Sequence, residues 1–229
     1  MRILLAAGIY PPDPGGPATY ARLITEEFPK RGIVVDLVLF RDVRHLPPII
    51  RHVAYFWKIM RHAFGADVVF AQDAVSVGLP SALASLIARK PFVVRLGGLF
   101  SWEQGTQRFA VRDTLDDFVE KTHTYGIRAR MYVAIERFVC TRAKKVVVPS
   151  NYLKSVFVRF GVSPEKISVI YNAYDPIVMG TKEEERRARG MTGFTVVSAG
   201  RFVPWKGFRS VIEAVARAQN EIPDIRLIL

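Results

Sequence analysis

The sequence predicts an α/β protein: a parallel sheet flanked by helices, followed by an incomplete second unit of the same kind. Three observations predict it. Short apolar runs alternate along the chain with longer segments of helical apolar spacing, an order that gives parallel strands joined by crossover helices. The chain opens on MRILLAA (1–7), a buried strand, followed by a turn rich in proline and glycine and a helix. The same strand, turn and helix recur near the end, in TVVSAG (195–200), RFVPWKG (201–207) and a helix over 207–220.

The elements follow in order. The helix after the first turn covers 18–30, with Leu23, Ile24 and Phe28 on its inner face. Strands are predicted over 34–40 and 67–71, the latter ending at Gln72 and Asp73, where α/β sheets place ligands. A helix over 79–90 leads to a strand over 91–96. Residues 97–103 (GGLFSWE) read as a loop, and 104–128 as a long polar loop or mobile segment over a cleft. A helix over 130–143 precedes the strand 145–149. Ser150 and Asn151 cap a helix running to Phe160, and a strand over 167–170 enters Asn172-Ala-Tyr-Asp175, expected to mark the crossover between two lobes. The run KEEERRAR (182–189) reads as a solvated helical linker.

The two turns carry the chemistry. Arg201 and Lys206 lie between a strand end and a helix N-terminus, where free N–H groups and the helix dipole favour an anion, so a phosphate or diphosphate is the natural guest. Gly15 and Gly16 let the backbone approach a ligand where any Cβ would intrude. Either turn alone is no more than a basic or proline-broken loop. The pair favours a nucleotide-type ligand held between two lobes.

PPDPGGPATYARLITEEFPKRG (11–32), VVVPSNYLKSVFVRFGVSPEKISVIYNAYD (146–175) and SAGRFVPWKGFRSVIEAVARA (198–218) resemble family 4 glycosyltransferases, in the right order over essentially the whole chain. The resemblance implies a GT-B architecture, two Rossmann-like domains across a cleft. It implies an acceptor-side domain over 1–175, a linker over 176–192 and the start of a nucleotide-sugar-binding domain over 193–229. It further implies a retaining, hexosyltransferase-type enzyme that uses a nucleotide-sugar donor, needs no metal or other cofactor, and serves a glycan or lipid-linked acceptor in cell-envelope polysaccharide synthesis. On that pattern Arg201 and Lys206 contact the donor diphosphate, and Gly15 and Gly16 close over it.

On the acceptor side, Gly97, Gly98 and Trp102 are the candidates: glycines for close approach and an indole face for a sugar. Trp102 is as readily a core residue. Many relatives carry a histidine just after this strand, near the reacting sugar, and Gly97-Gly98 takes its place here. Asp73 and Glu103 are then the carboxylates suited to activating an acceptor hydroxyl. His45, His52, His62 and His123 lack metal-ligand spacing. The relatives' paired-glutamate motif is absent, and the chain stops inside the apolar strand 224–229, so a fragment of a longer enzyme is expected.

Composition narrows the partners. With 33 Lys+Arg against 21 Asp+Glu the net charge is +12, which favours anionic partners. The single cysteine, Cys140, excludes an internal disulfide framework and is expected in the core of a helix. With neither a secretory leader nor a run of about 18 apolar residues, the expectation is a cytoplasmic protein, at most peripheral to the inner face of a membrane. Peripheral contact with anionic lipid falls to 48–64, a helix with Arg51, Tyr55, Lys58 and His62 on one stripe. Ile49, Val53, Phe56, Trp57, Met60 and Phe64 lie on the other. The plainer reading, which we favour, packs that apolar face on the sheet and leaves the cations solvated.

Three rivals remain. A nicotinamide dehydrogenase should show G-x-G-x-x-G and an acidic residue ending the second strand, and Phe40-Arg41 stands there instead. A nucleic-acid-binding module should interleave exposed aromatics with cations, whereas many aromatics here fall in apolar strands and helices, so no nucleic-acid partner is expected. A non-catalytic acceptor-binding domain is the third.

Overall fold

The computed structural model describes residues 1–173 and 180–229. Tyr174, Asp175 and the first part of the expected linker (176–179) lie outside the described residues. The chain divides into two compact units, Met1–Asn172 and Ala173–Leu229.

The first unit is built on a six-stranded, wholly parallel sheet in the order β2-β1-β3-β4-β5-β6. The strands are β1 (Arg2–Ala7), β2 (Val34–Leu39), β3 (Val68–Ala71), β4 (Phe92–Arg95), β5 (Lys145–Val148) and β6 (Ile167–Val169). Both faces are covered, which explains why the strands read as continuous apolar runs. Ile3, Leu5 and Ala7 pack with Ala21 and Ile24 of α1 (Gly16–Glu27) on one side. Leu4, Ala6, Val69 and Val94 join the larger core on the other. That core is covered by α2 (Pro48–Ala63), α3 (Gly78–Ile87) and, further along the chain, α6 (Ile127–Arg142) and α7 (Asn151–Arg159). From β1 the chain turns to β2 on one side and then returns to β3 on the other. This reversal opens a crevice at the carboxyl ends of β1 and β3.

Two expectations are corrected. Residues 104–128 are not one long loop: the end of α4 (Phe100–Arg108), α5 (Leu115–Glu120) and the start of α6 interrupt them, and Trp102 and Glu103 sit on α4 rather than on a loop. A buried carboxylate accounts for α4. Glu136 of α6 accepts hydrogen bonds from the Phe100 and Ser101 N–H groups, at 3.0 and 2.8 Å, and so satisfies the helix start. Thr114 caps α5 through the Asp117 N–H.

The second correction concerns α2. Its packed face is Tyr55, Ile59, Met60 and Ala63, with the Tyr55 hydroxyl donating to the Val38 carbonyl at 2.9 Å. Ile49, Val53, Trp57 and Phe64 are exposed, Trp57 by 60%. A tyrosine assigned to the basic stripe is core, and much of the expected apolar face meets solvent.

Cys140 is fully buried on α6, and burial pushes its thiol well above the ordinary range. Burial likewise raises the Glu136 carboxyl to about 7 against the two N–H bonds that oppose it. The folded form therefore holds its proton more tightly than the unfolded chain, and this contribution to stability is lost as pH rises from the ordinary 4.5 through 7. Between pH 5 and 8 the native protein is expected to lose roughly 2 kcal/mol relative to Glu136→Gln, read from urea midpoints. Parallel pH profiles for the two proteins would refute it.

The second unit contains α8 (Lys182–Ala188), β7 (Thr195–Val197), α9 (Phe208–Ala218) and β8 (Arg226–Ile228), with β7 and β8 paired in parallel. Thr181 and Glu184 form a reciprocal capping box at the start of α8, and its residues face solvent as expected for 182–189. Among the described residues no helix is long and apolar enough to cross a membrane.

Candidate functional site

In the first unit, the candidate site lies at the crevice between β1 and β3. Gly8 leaves β1 so close to β3 that a Cβ there would meet the Asp73 Oδ2 at 3.2 Å. The loop that follows is held by two arginines beyond β2. Arg41 donates to the Tyr10 and Pro11 carbonyls, and Arg44 to the Gly8 carbonyl at 3.3 Å. Gly15 then adopts φ 132°, a conformation L side chains rarely take, and serves as N-cap of α1. Gly16 opens the helix with nothing within 4 Å of its would-be Cβ. Gly16 therefore offers open backbone at a helix N-terminus, while Gly15 packs against Ile9 and Pro17.

Behind this loop is a cavity of about 380 Å³, lined by Gly8, Pro17, Arg44, Arg51, Gln72 and Asp73 among others. Asp73 shapes its floor. The carboxylate accepts the Val77 N–H at 3.0 Å and is further stabilised by the N–H groups of Val75, Ser76 and Gly78. Burial outweighs these and raises its pKa. Gln72 is 5% exposed, and neither atom of its amide has a partner. The buried Nε of Arg51 is also unpartnered, and its guanidinium lies 5.9 Å from the Phe40 ring centre. Unsatisfied buried polar groups facing a cavity are costly unless a ligand or water meets them.

At the end of β4, Arg95 is buried. Its guanidinium stacks 3.8 Å from the Tyr20 ring centre and donates to Asn172 Oδ1 at 2.5 Å, tying the sheet's end to α1. Gly97 and Gly98 form the turn into α4. A Cβ on Gly98 would come within 2.5 Å of Glu103 Oε1, so the Glu103 side chain folds back over that glycine. Trp102 is half-buried against the core and donates from its indole to the Asp113 carbonyl at 3.0 Å. Asp73 joins Gly8 and Gln72 at the cavity. Gly97, Gly98, Trp102 and Glu103 form a separate group after β4.

In the second unit, β7 leads through residues 198–203 into a single 3-10 turn, Pro204–Lys206. Gly207 at φ 69° then swings the chain into α9. The Val203 N–H bonds the Arg201 carbonyl and the Lys206 N–H bonds the Val203 carbonyl. This compact turn brings the Lys206 stem to 4.0 Å from the position of a Gly200 Cβ. Arg201 and Lys206 are both exposed beside the start of α9. Among the described residues no group of three or more His, Cys, Asp and Glu could hold a metal.

Sequence reasoning named Asp73 and both glycine pairs, placed Arg51 on the basic stripe of 48–64 rather than at the cavity, and missed Arg44 and Glu136. Gln72 was noted only for its place at a strand end. Arg44 and Arg51 reach the cavity from separate elements, and nothing in the sequence marks either as a cavity residue among 33 cationic residues.

A search of curated protein sequences returns no match. Among solved structures, Anabaena Alr3699/HepE in complex with UDP-glucose aligns with a TM-score of 0.70 at 20% identity, covering 100% of this chain and 60% of that one. The lipopolysaccharide outer core galactosyltransferase WaaB aligns at 0.56 and 16% identity, over 95% of this chain and 58% of its own. The UDP-GlcNAc 2-epimerase of Methanocaldococcus jannaschii aligns at 0.55 and 13% identity, over 100% and 66%. The chain thus spans 60% of the length of the HepE structure it matches. At these identities the likeness establishes the fold, and it is of the GT-B-like α/β class expected above. The model of Glycosyltransferase Family 4 matches residues 14–177, and this chain belongs to that family.

Proposed function

We propose that this chain carries the machinery of a retaining glycosyltransferase. It moves a sugar from a nucleotide-sugar donor to a glycan or lipid-linked acceptor in cell-envelope polysaccharide synthesis, at the cytoplasmic face of a membrane. The observation that carries the reading is the turn 200–207, which exposes Arg201 and Lys206 at the start of α9 and suits a departing diphosphate. Gly15 and Gly16, at the start of α1, are the glycines assigned in this reading to approach the donor through their backbone. Family membership supports the transfer chemistry.

In this reading the first unit binds the acceptor and the second the donor. Gly97, Gly98 and Trp102 border the acceptor, and Asp73 or Glu103 takes the proton of the attacking hydroxyl. No metal is required, because the cations and helix dipole balance the leaving group. The exposed Ile49, Val53 and Trp57 of α2 and Phe64 just after it, beside Arg61 and His62, support peripheral contact with an anionic bilayer.

The experiment is a panel of nucleotide sugars offered with cell-envelope lipid extract, following nucleotide release and the anomeric configuration of the product by NMR. Release with retained configuration supports the reading. Acceptor binding without release from any donor favours the non-catalytic acceptor-binding alternative.

A further inference from the structure

We infer that the acceptor ends in an acidic sugar, a hexuronate, whose ring enters the cavity behind the glycine loop with its carboxylate on Arg51 and its hydroxyls on Gln72. The inference rests on the transfer reading above and names the class of acceptor that the site selects.

Size comes first. At about 380 Å³ the cavity lies at the small end of ligand pockets, so it suits a single sugar ring and is too small for a whole nucleotide sugar. Its lining is mixed, as a sugar requires. Ile9, Pro17 and Phe40 offer apolar surface to the C–H face of a ring, while Arg51, Gln72 and Ser76 bring polar groups. An apolar groove between α2, α3 and α6, lined by Val53, Leu83 and Met131 among others, is a separate compartment and takes no part.

The polar groups divide into those already engaged and those left over. Arg44 stands 4.0 Å from the Asp13 carboxylate and donates to the Gly8 carbonyl. Asp73 is held by the N–H groups of the loop into α3. Arg51 forms no ion pair among the described residues. Its guanidinium meets only the Phe40 ring, 5.9 Å away, and its Nε is buried without a hydrogen-bond partner. A free Nε leaves the side-on edge of the guanidinium unused, and the two parallel N–H groups of that edge match a carboxylate.

Gln72 supplies the other half. Its backbone N–H is tied to the Ala6 carbonyl at 3.1 Å, which fixes the strand end. Its side-chain amide, in a residue 5% exposed, has neither its donor nor its acceptor satisfied. An NH₂ and a C=O side by side fit adjacent ring hydroxyls, each of which both donates and accepts. A neutral sugar engages the amide and leaves Arg51 unpaired. An inorganic anion engages Arg51 and leaves the apolar walls bare. A hexuronate meets all three.

The test is calorimetric titration of the whole chain with the methyl glycosides of glucuronic, galacturonic and mannuronic acid. Each is run beside its own carboxamide, which has nearly the same shape and no charge. At least one acid is expected to bind roughly ten-fold or more tightly than its amide, the worth of a charge-assisted bidentate pair over neutral hydrogen bonds. Arg51→Gln should bring that ratio to unity. Arg51→Lys keeps the charge but loses the fork and should recover only part of it, and it reads the loss if Arg51→Gln does not fold. Gln72→Met should weaken acid and amide alike, by roughly ten-fold, and preserve their ratio. It should leave the melting temperature unchanged or raise it, because the amide it removes has no partner in the free protein. A lowered melting temperature would make Gln72 a structural residue and overturn its part in the site. Unaltered binding in either variant overturns the inference, as does a panel in which no acid outbinds its amide. Glucose 6-phosphate binding more tightly than every acid would overturn it too. Displacement of the bound acid by UDP would give the cavity to the donor, with the same consequence. Transfer to a neutral glycan by a chain that binds no uronate overturns this inference alone. Uronate binding without transfer from any nucleotide sugar upholds it and overturns the transfer reading.

Discussion

Gly78→Ala is expected to destabilise the first unit by about 3 kcal/mol or more, the cost of an overpacked site that cannot relax. A Cβ at Gly78 would lie 2.2 Å from the Asp73 carbonyl oxygen and 3.1 Å from its carbon. Both are backbone atoms, and no rotamer change can clear them. Retreat is blocked on the far side by Val139 of α6, whose Cγ1 would stand 3.3 Å away. Asp73 is itself fixed through the Val77 N–H. Relief therefore means pulling α3 from the end of β3 and breaking the loop that floors the cavity. Gly126→Ala is the control: nothing lies within 4 Å of its Cβ position, and its effect should stay within about 1 kcal/mol. Urea denaturation of both variants decides the matter. A Gly78→Ala protein as stable as the control would show that the junction is looser than described.

Arg201→Ala and Lys206→Ala should each lower sugar transfer by roughly 10²- to 10³-fold, the usual cost of removing one group that stabilises developing charge. Most of the loss should appear in kcat, because charge on the diphosphate grows as the glycosidic bond breaks. Both side chains are exposed, so melting temperature should scarcely change and unfolding cannot imitate the effect. The double variant should fall short of the product of the two single losses, since the proposed function has both cations act on one leaving group. Losses below ten-fold in both variants would remove the turn from the mechanism.

The fold was legible because its signals are local. Leu4 and Leu5 face opposite sides of the sheet and are both fully buried, so β1 reads as an unbroken apolar run. Ser150 caps α7 through the Leu153 N–H as its residue type and position imply. The misread regions depend on distant partners. Segment 104–128 is polar in sequence, yet α4 is anchored by Glu136, more than thirty residues further on. Tyr55 joins the core because the Val38 carbonyl receives its hydroxyl, and no spacing rule reveals that acceptor. The same holds for the cavity. Gln72 and Asp73 stand at a strand end that topology makes suspect, but Arg44 and Arg51 reach it only once β2 and α2 have packed.

The burial of Cys140 gives the molecule an internal reporter. It is the single thiol of the chain, has no exposure, and has its ionisation suppressed by its surroundings. A water-soluble alkylating reagent can therefore reach it only when α6 parts from the sheet. The labelling rate counts those openings. Because α6 also supplies Glu136 to α4 and Met131 to the apolar groove, the same rate reads how often both regions come apart. A ligand seated in the groove would slow it without touching the sulfur.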